Sequence, residues 1–160
     1  MLYKLKSFVH LVLEATGETF FWMTNGPYHG SDPIGQHVPK AKMPDNDLEQ
    51  QFEQARLRID PSLPSRLNCV FLCNNIDGLS GQSFCSPDPE DDVFIVKLKG
   101  QYSIHETDAM IYTEAAVRHR RGHEYKHYID GYWEPANYPN SREFLVSPPS
   151  AAIIVDKLKR

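Results

Sequence analysis

The segments of this chain that favour β-strands are short, and they do not alternate regularly with helices. The clearest covers residues 92–99, where apolar side chains alternate before Gly100 ends the run. Other apolar, strand-forming segments lie at 19–24, 68–73, 142–146 and 151–155. Regular alternation of strands with helices would favour a parallel sheet, and the chain has no Gly-x-Gly-x-x-Gly fingerprint. The sequence therefore predicts an α+β domain with a mostly antiparallel split sheet and a few helices.

Helices are predicted between these strands. Asn46 and its two acidic neighbours can cap a helix that runs to about Ile59. Thr107 or Asp108 can cap a second helix, and a short helix can follow over residues 123–130. We interpret the first helix as structural.

Three further segments have predicted structures. Residues 68–73 are apolar enough to be buried on both faces, which predicts a central strand. Leu2–Leu13 is rich in strand formers and is followed by a turn at Thr16-Gly17, which predicts an opening strand or hairpin. Residues 132–139 predict an aromatic loop that leads into the strand containing Glu143.

Size and composition predict a single domain over residues 1–160 that stays in the cytoplasm. No apolar run approaches the roughly 18–20 residues that cross a bilayer, and no signal-peptide pattern opens the chain. We therefore expect no membrane association. The three cysteines lack a Cys-x-x-Cys pair and are odd in number, which predicts free thiols rather than a disulfide framework.

Positive charge is concentrated in one place although the formal net charge is -4. Residues 118–127 contain Arg120, Arg121 and two further cations with three histidines, and aromatic residues follow closely. Such a segment can meet phosphates and stack bases. A non-enzymatic nucleic-acid-binding module that uses residues 118–127 is therefore one alternative function.

A second alternative comes from His123-Glu124-Tyr125-Lys126-His127. This run satisfies His-Glu-x-x-His, which on a helix places two zinc ligands and a general base on one face. A zinc metalloprotease is the enzyme class that the pattern indicates. Against it, Gly122 abuts the motif, and charged residues stand at positions that are usually uncharged in such proteases.

Glu143 is the leading candidate for a catalytic residue. Its carboxylate stands beside Arg142 where a loop enters an apolar strand, so a sheet can hold it rigidly while its head faces a cleft.

Four motifs in chain order carry a resemblance to a known superfamily. They are Tyr28-His29-Gly30-Ser31, Arg66-x-Asn68-x-Val70-Phe71-Leu72-Cys73, Asp92-Val93-Phe94-Ile95-Val96 with Gly100 and Asp108, and Ser141-Arg142-Glu143-x-Leu145. Together they resemble the ADP-ribosyltransferase superfamily, most closely its small bacterial type such as rifampin ADP-ribosyltransferase, with similarity also to its DNA-modifying toxins. They span about three quarters of the chain.

The resemblance implies that NAD is the substrate and that no metal is needed. It implies that His29, Gly30 and Ser31 hold the nicotinamide and the adenosine ribose, and that Glu143 is catalytic. The strand positions Trp22 and Thr24 are an alternative NAD contact, because Gly26 and Pro27 interrupt the lead into the first motif. Arg66 is a further NAD contact, since an arginine can bind pyrophosphate through a bidentate fork. The tyrosine expected in the second motif is replaced by Cys69 or Phe71.

The resemblance also implies an acceptor and leaves two choices open. The acceptor is expected to be macromolecular, nucleic acid ahead of protein, rather than a small molecule, and Arg120 and Arg121 are expected to contact it. Asp108 is the alternative to Glu143 as the essential carboxylate. A toxin of this kind implies an antitoxin or regulatory partner.

Overall fold

The computed structural model of the protein describes residues 19–44, 46–74, 87–134 and 142–159. The strands are β1 (Phe20–Met23), β2 (Val70–Leu72), β3 (Val93–Leu98), β4 (Ser103–Asp108), β5 (Arg142–Ser147) and β6 (Ala152–Lys157). The α-helices are α1 (Asp47–Ile59), α2 (Ala109–Arg121) and α3 (Lys126–Tyr132). Short 3-10 turns cover Arg66–Asn68 and Pro149–Ala151.

The strands form two antiparallel sheets of three strands each. The first sheet has the order β1-β3-β6, and the second has the order β2-β5-β4. Among the described residues, one bridge links the two sheets, because Phe21 and Cys73 exchange backbone hydrogen bonds of 2.7 and 2.9 Å. The fold is therefore mixed α+β, with the sheet divided between β1 and β2.

Three layers follow from the alternation of side chains along the second sheet. Val70, Leu72, Phe144 and Val146 face the first sheet and form one buried core with it. Their neighbours on the opposite face, such as Leu145, pack against the three helices in a second core. The second sheet thus lies between the first sheet and the helices, and its two faces have different environments.

Caps fix the ends of the two longer helices. The side chain of Asn46 accepts a hydrogen bond from the backbone of Glu49 and starts α1. Asp108 does the same for α2 through Met110. Gly122 ends α2 with φ of 68°, a left-handed conformation that glycine adopts without strain.

Most predicted elements are confirmed. Strands occur in all five predicted segments that the structure describes, and Asn46 caps α1 as expected. Asp108, not Thr107, caps α2. The opening strand predicted for Leu2–Leu13 lies outside the described residues.

Three predictions about the interior are wrong. The strand at 68–73 is not central, because β5 is the central strand of its sheet. Layers pack on both sides of β2, although Phe71 stays partly exposed. Tyr132 and Trp133 do not open an aromatic loop but end α3, and both are buried. Cys69 is a free, buried thiol, whereas Cys73 is disulfide-bonded.

No helix in the described parts of the chain combines the length and the apolar character that a membrane crossing requires.

Candidate active site

A buried ion pair lies between the second sheet and the helices. Arg66 donates two hydrogen bonds of 3.0 Å, from Nε and Nη2, to the two carboxylate oxygens of Glu49. Glu49 belongs to the first turn of α1, whereas Arg66 lies just before β2. Their side chains are 0% and 4% exposed, so the pair is shielded from water at both ends.

Aromatic rings enclose this pair. The guanidinium carbon of Arg66 lies 4.0 Å from the ring centroid of Tyr112 and 5.1 Å from those of Phe71 and Tyr132. The Tyr112 hydroxyl donates to Glu49 at 2.8 Å, and Nη1 of Arg66 donates to the Tyr132 hydroxyl. The cation is therefore held by a carboxylate in its plane and by ring faces beside it.

The electrostatics keep these groups in defined protonation states. Burial by itself lowers the pKa of Arg66, but its surroundings raise the pKa overall, so Arg66 stays protonated. The groups that raise it are Tyr132, Glu49 and Glu143. Burial raises the pKa of Tyr112 to about 12, which leaves its hydroxyl as a donor.

Glu143 stands at the edge of this network. It is the second residue of β5, on the same face as Leu145, and so points toward the helices. Its side chain is partly exposed, yet burial raises the pKa of its carboxyl to about 7, with Arg66 acting in the opposite direction. A carboxyl whose pKa is shifted toward neutrality marks a candidate functional site.

A chain of contacts connects the buried pair to the backbone of Glu143. Tyr132, which receives a hydrogen bond from Arg66, also interacts with Thr107 on β4. Thr107 in turn donates to the backbone carbonyl of Glu143 at 3.2 Å. The position of Glu143 thus depends on α1, α3 and β4 together.

The segment after β1 forms a separate, acid-stabilised turn. The Thr24 hydroxyl donates to the Gly26 carbonyl at 2.6 Å and accepts from the backbone of Asp92 at 2.9 Å. The carboxylates of Asp91 and Asp92 accept from the backbone N–H groups of Gly26 and Tyr28. Thr24 is therefore engaged in holding this turn.

Trp22 and the first-motif residues His29–Ser31, which flank that turn in the chain, differ in their surroundings. Trp22 stacks on Phe94 at 5.6 Å and meets Tyr28 edge-on, within the core between the two sheets. His29–Ser31 are exposed. A Cβ built on Gly30 would lie 2.3 Å from the Tyr28 hydroxyl, so a larger residue here would displace the Tyr28 ring, which folds back over Gly30. The structure thus gives Gly30 an internal packing role.

The two carboxylate candidates differ in their environments. Asp108 is 2% exposed, and its carboxylate caps α2. Arg142, its neighbour across the strands, forms an ion pair of 2.7 Å with Glu106. Of the two candidates, Glu143 is the one with a partly exposed side chain.

The structure thus unites some predicted site residues and separates others. Arg66 and Glu143 belong to one electrostatic network. Trp22 and Thr24 lie on the other side of the second sheet, toward the first sheet. Arg66 is doubly bonded to Glu49, so its fork is occupied within the protein.

The comparisons with known proteins match most of the chain to one family. Residues 42–157 fit the family model described as "Protein of unknown function (DUF2441)". The chain belongs to the DUF2441 family. No curated protein matches the chain significantly. In this DUF2441 protein, the residues that match the family model run from the segment before α1 to the end of β6. They include Glu49, Arg66 and Glu143.

The remaining predicted site residues of the DUF2441 protein lie near the end of α2. Arg120 and Arg121 are exposed in its last turn. His123 and Glu124 lie in the connection to α3, which begins only at Lys126. The His-Glu-x-x-His run therefore does not form one helical face. Among the described residues, no group of three or more His, Cys, Asp or Glu side chains is placed to hold a metal ion.

Sequence reasoning missed three residues of the site: Glu49, Tyr112 and Tyr132. Glu49 precedes Phe52 by three positions, so it lies on the apolar face of α1, where an acid is unexpected. That placement was the available signal. Nothing in the sequence marks Tyr112 or Tyr132 as its neighbours, because they come from two other helices.

Proposed function

We propose that this DUF2441 protein transfers ADP-ribose from NAD to a macromolecular acceptor, with Glu143 as the catalytic carboxylate. The observation that carries the proposal is the position of Glu143, which is partly exposed at the start of β5 beside a buried arginine network. A carboxylate at the entry to the last core strand is what the resemblance to ADP-ribosyltransferases implies.

The chemistry suits a preorganised carboxylate. Breaking the bond between nicotinamide and ribose leaves positive charge on the ribose, and an ionised Glu143 stabilises that charge. The nicotinamide departs with the bonding electron pair, and a nucleophilic atom of the acceptor then bonds to the ribose carbon and loses its proton. The hydrogen bond from Thr107 to the backbone of Glu143 keeps the carboxylate from moving away as charge develops.

The divided sheet also supports the proposal. The resemblance implies a split, mostly antiparallel sheet, and the two sheets here meet through one bridge between Phe21 and Cys73. Side chains bridged in this way share a face, so Phe21 lies on the same side as Phe71. Both rings are partly exposed on the face that carries Glu143. They are the aromatic residues that we propose to contact the nicotinamide, with Phe71 in place of the expected tyrosine.

Arg66 acquires a different role from the one expected. Because both of its η nitrogens and Nε are engaged inside the protein, we assign it to positioning and charge balance at Glu143 rather than to the pyrophosphate of NAD. The exposed His29–Ser31 segment stays a candidate for the ribose contacts.

The test is incubation with NAD labelled in its adenylate part, together with separate nucleic-acid, protein and small-molecule acceptors. Transfer to a macromolecule that is lost in Glu143→Gln and kept in Glu134→Gln is the expected result. Glu134 is exposed and outside the network, so it is a matched control. Absence of labelled product with every acceptor, together with no NAD binding by calorimetry, would refute the proposal.

A further inference from the structure

A cluster of exposed cations lies where α2 meets α3. We call the exposed cations Arg120, Arg121 and Lys126 the basic patch. We propose that the basic patch binds the phosphate backbone of a nucleic acid. Its role in presenting the acceptor rests on the proposed function, whereas the binding itself does not.

The ion pairs decide which cations are available. Arg118 pairs with Glu114 at 2.7 Å, and Arg58 pairs with Asp130 on α3. In contrast, none of the ion pairs in the described ranges includes a member of the basic patch. The nearby acid Glu124 accepts from the backbone of Lys126, so it acts in the turn. Three cations therefore face solvent in a chain whose formal net charge is -4.

The geometry of α2 favours a polymer as the partner. Asp108 caps the start of α2 and lies opposite Arg142, the neighbour of Glu143, across strands β4 and β5. The 13 residues of α2 then extend about 20 Å to the basic patch. A small acceptor bound at Glu143 does not reach so far. A nucleic-acid duplex carries a phosphate every 3.4 Å or so along each strand, so about six nucleotides span the distance.

The neighbouring tyrosines restrict the mode of binding. The Tyr125 hydroxyl accepts from Gln51 at 3.0 Å, and its ring meets His119 edge-on. Arg118 covers the ring of Tyr128 at 5.0 Å. Both rings are already packed, so contact with phosphates is favoured over the base stacking that the sequence suggested.

The experiment is fluorescence anisotropy with a labelled duplex of about 20 base pairs and arbitrary sequence, titrated between about 50 and 200 mM salt. Arg120→Ala/Arg121→Ala should weaken binding at least about tenfold at the lower salt concentration and reduce the slope of log K against log salt by about two. The matched control is Lys97→Ala/Lys99→Ala, which removes two exposed cations from and beside β3. The control should bind within about twofold of the unaltered protein.

Three outcomes would overturn the inference. They are no binding at about 50 mM salt, equal losses in the two double variants, and binding that does not weaken as the salt concentration rises, which would indicate a surface that does not act through charge. If the unaltered protein transfers no ADP-ribose but both it and Glu143→Gln bind the duplex, the proposed function fails while the inference about the basic patch stands.

Discussion

Glu49 and Arg66, 17 positions apart in the chain, form a two-bonded ion pair that water does not reach. Removing two charges from water is unfavourable, and their attraction offsets this cost only when the geometry is good and further hydrogen bonds complete it. Tyr112 and Tyr132 supply those bonds. A buried pair of this kind is weak evidence for added stability, so we infer that it serves to position charge beside Glu143.

Breaking the pair from one side should destabilise the protein strongly. Glu49→Leu leaves Arg66 buried without its counter-charge, and we expect a loss of about 3–5 kcal/mol in the free energy of unfolding, measured by urea denaturation. Glu49→Leu/Arg66→Met removes both charges and should lose clearly less than the sum of the two single variants. Additive losses would show that the two side chains do not act as a pair.

Removing the charge of Glu143 should abolish catalysis without unfolding the protein. Glu143→Gln keeps the size of the side chain, and transfer should fall by about two orders of magnitude or more. Because the carboxyl has a pKa of about 7, transfer by the unaltered protein should also decline as pH falls through 7. A full rate in Glu143→Gln would remove it from the mechanism.

Asp108→Asn is the comparison that locates the essential carboxylate. Asparagine is a good N-cap, so α2 should keep its start and the stability should change little. We expect transfer to persist. If Asp108→Asn abolishes transfer while Glu143→Gln does not, the catalytic carboxylate lies in the third motif instead.

Glu143 and His105 should give opposite slopes to the pH dependence of stability. The pKa of Glu143 is raised from 4.5 to about 7 by burial, so its contribution is present below pH 4.5 and is lost as pH rises to 7. Burial lowers the pKa of His105 from 6.5 to about 4, so its contribution is present above pH 6.5 and is lost as pH falls to 4. Between pH 4.5 and 6.5 the two slopes oppose each other.

Single variants separate these slopes. Relative to the unaltered protein, Glu143→Gln should change the slope by about +1.4 kcal/mol per pH unit in that window, and His105→Leu should change it by about -1.4. Urea midpoints at several pH values measure both. His105 is buried with no hydrogen-bond partner for Nε2 among the described residues, so leucine should fit without leaving a polar group unpaired. Parallel pH profiles for all three proteins would contradict the burial of both groups.

The strands of this protein were predictable where one pattern dominated. Val93–Leu98 alternates cleanly and was found, whereas β4 was missed because Ser103–Asp108 is mostly polar. In the structure, His105 and Thr107 face the helices and Asp108 ends the strand as a cap. Polar residues with such separate tertiary roles leave no periodic hydrophobic signal.

The site was predictable only in part, for a similar reason. Glu143 was identified from its place before an apolar strand, while Glu49 was assigned to a structural helix. Tyr132 was assigned to a loop, although it is completely buried beside Arg66. Each assignment used neighbours in the chain, whereas the network joins α1, α2, α3 and the segment before β2.

The sequence by itself determined the local features: the cap at Asn46, a cap at Thr107 or Asp108, and the alternation of β3. These depend on backbone sterics and hydrogen bonds between residues a few positions apart. Only the tertiary structure decided that Arg66 is a buried partner of Glu49 and that the carboxyl of Glu143 titrates near neutrality. Both depend on desolvation by distant segments, because the free energy of a charge is set by what replaces its water.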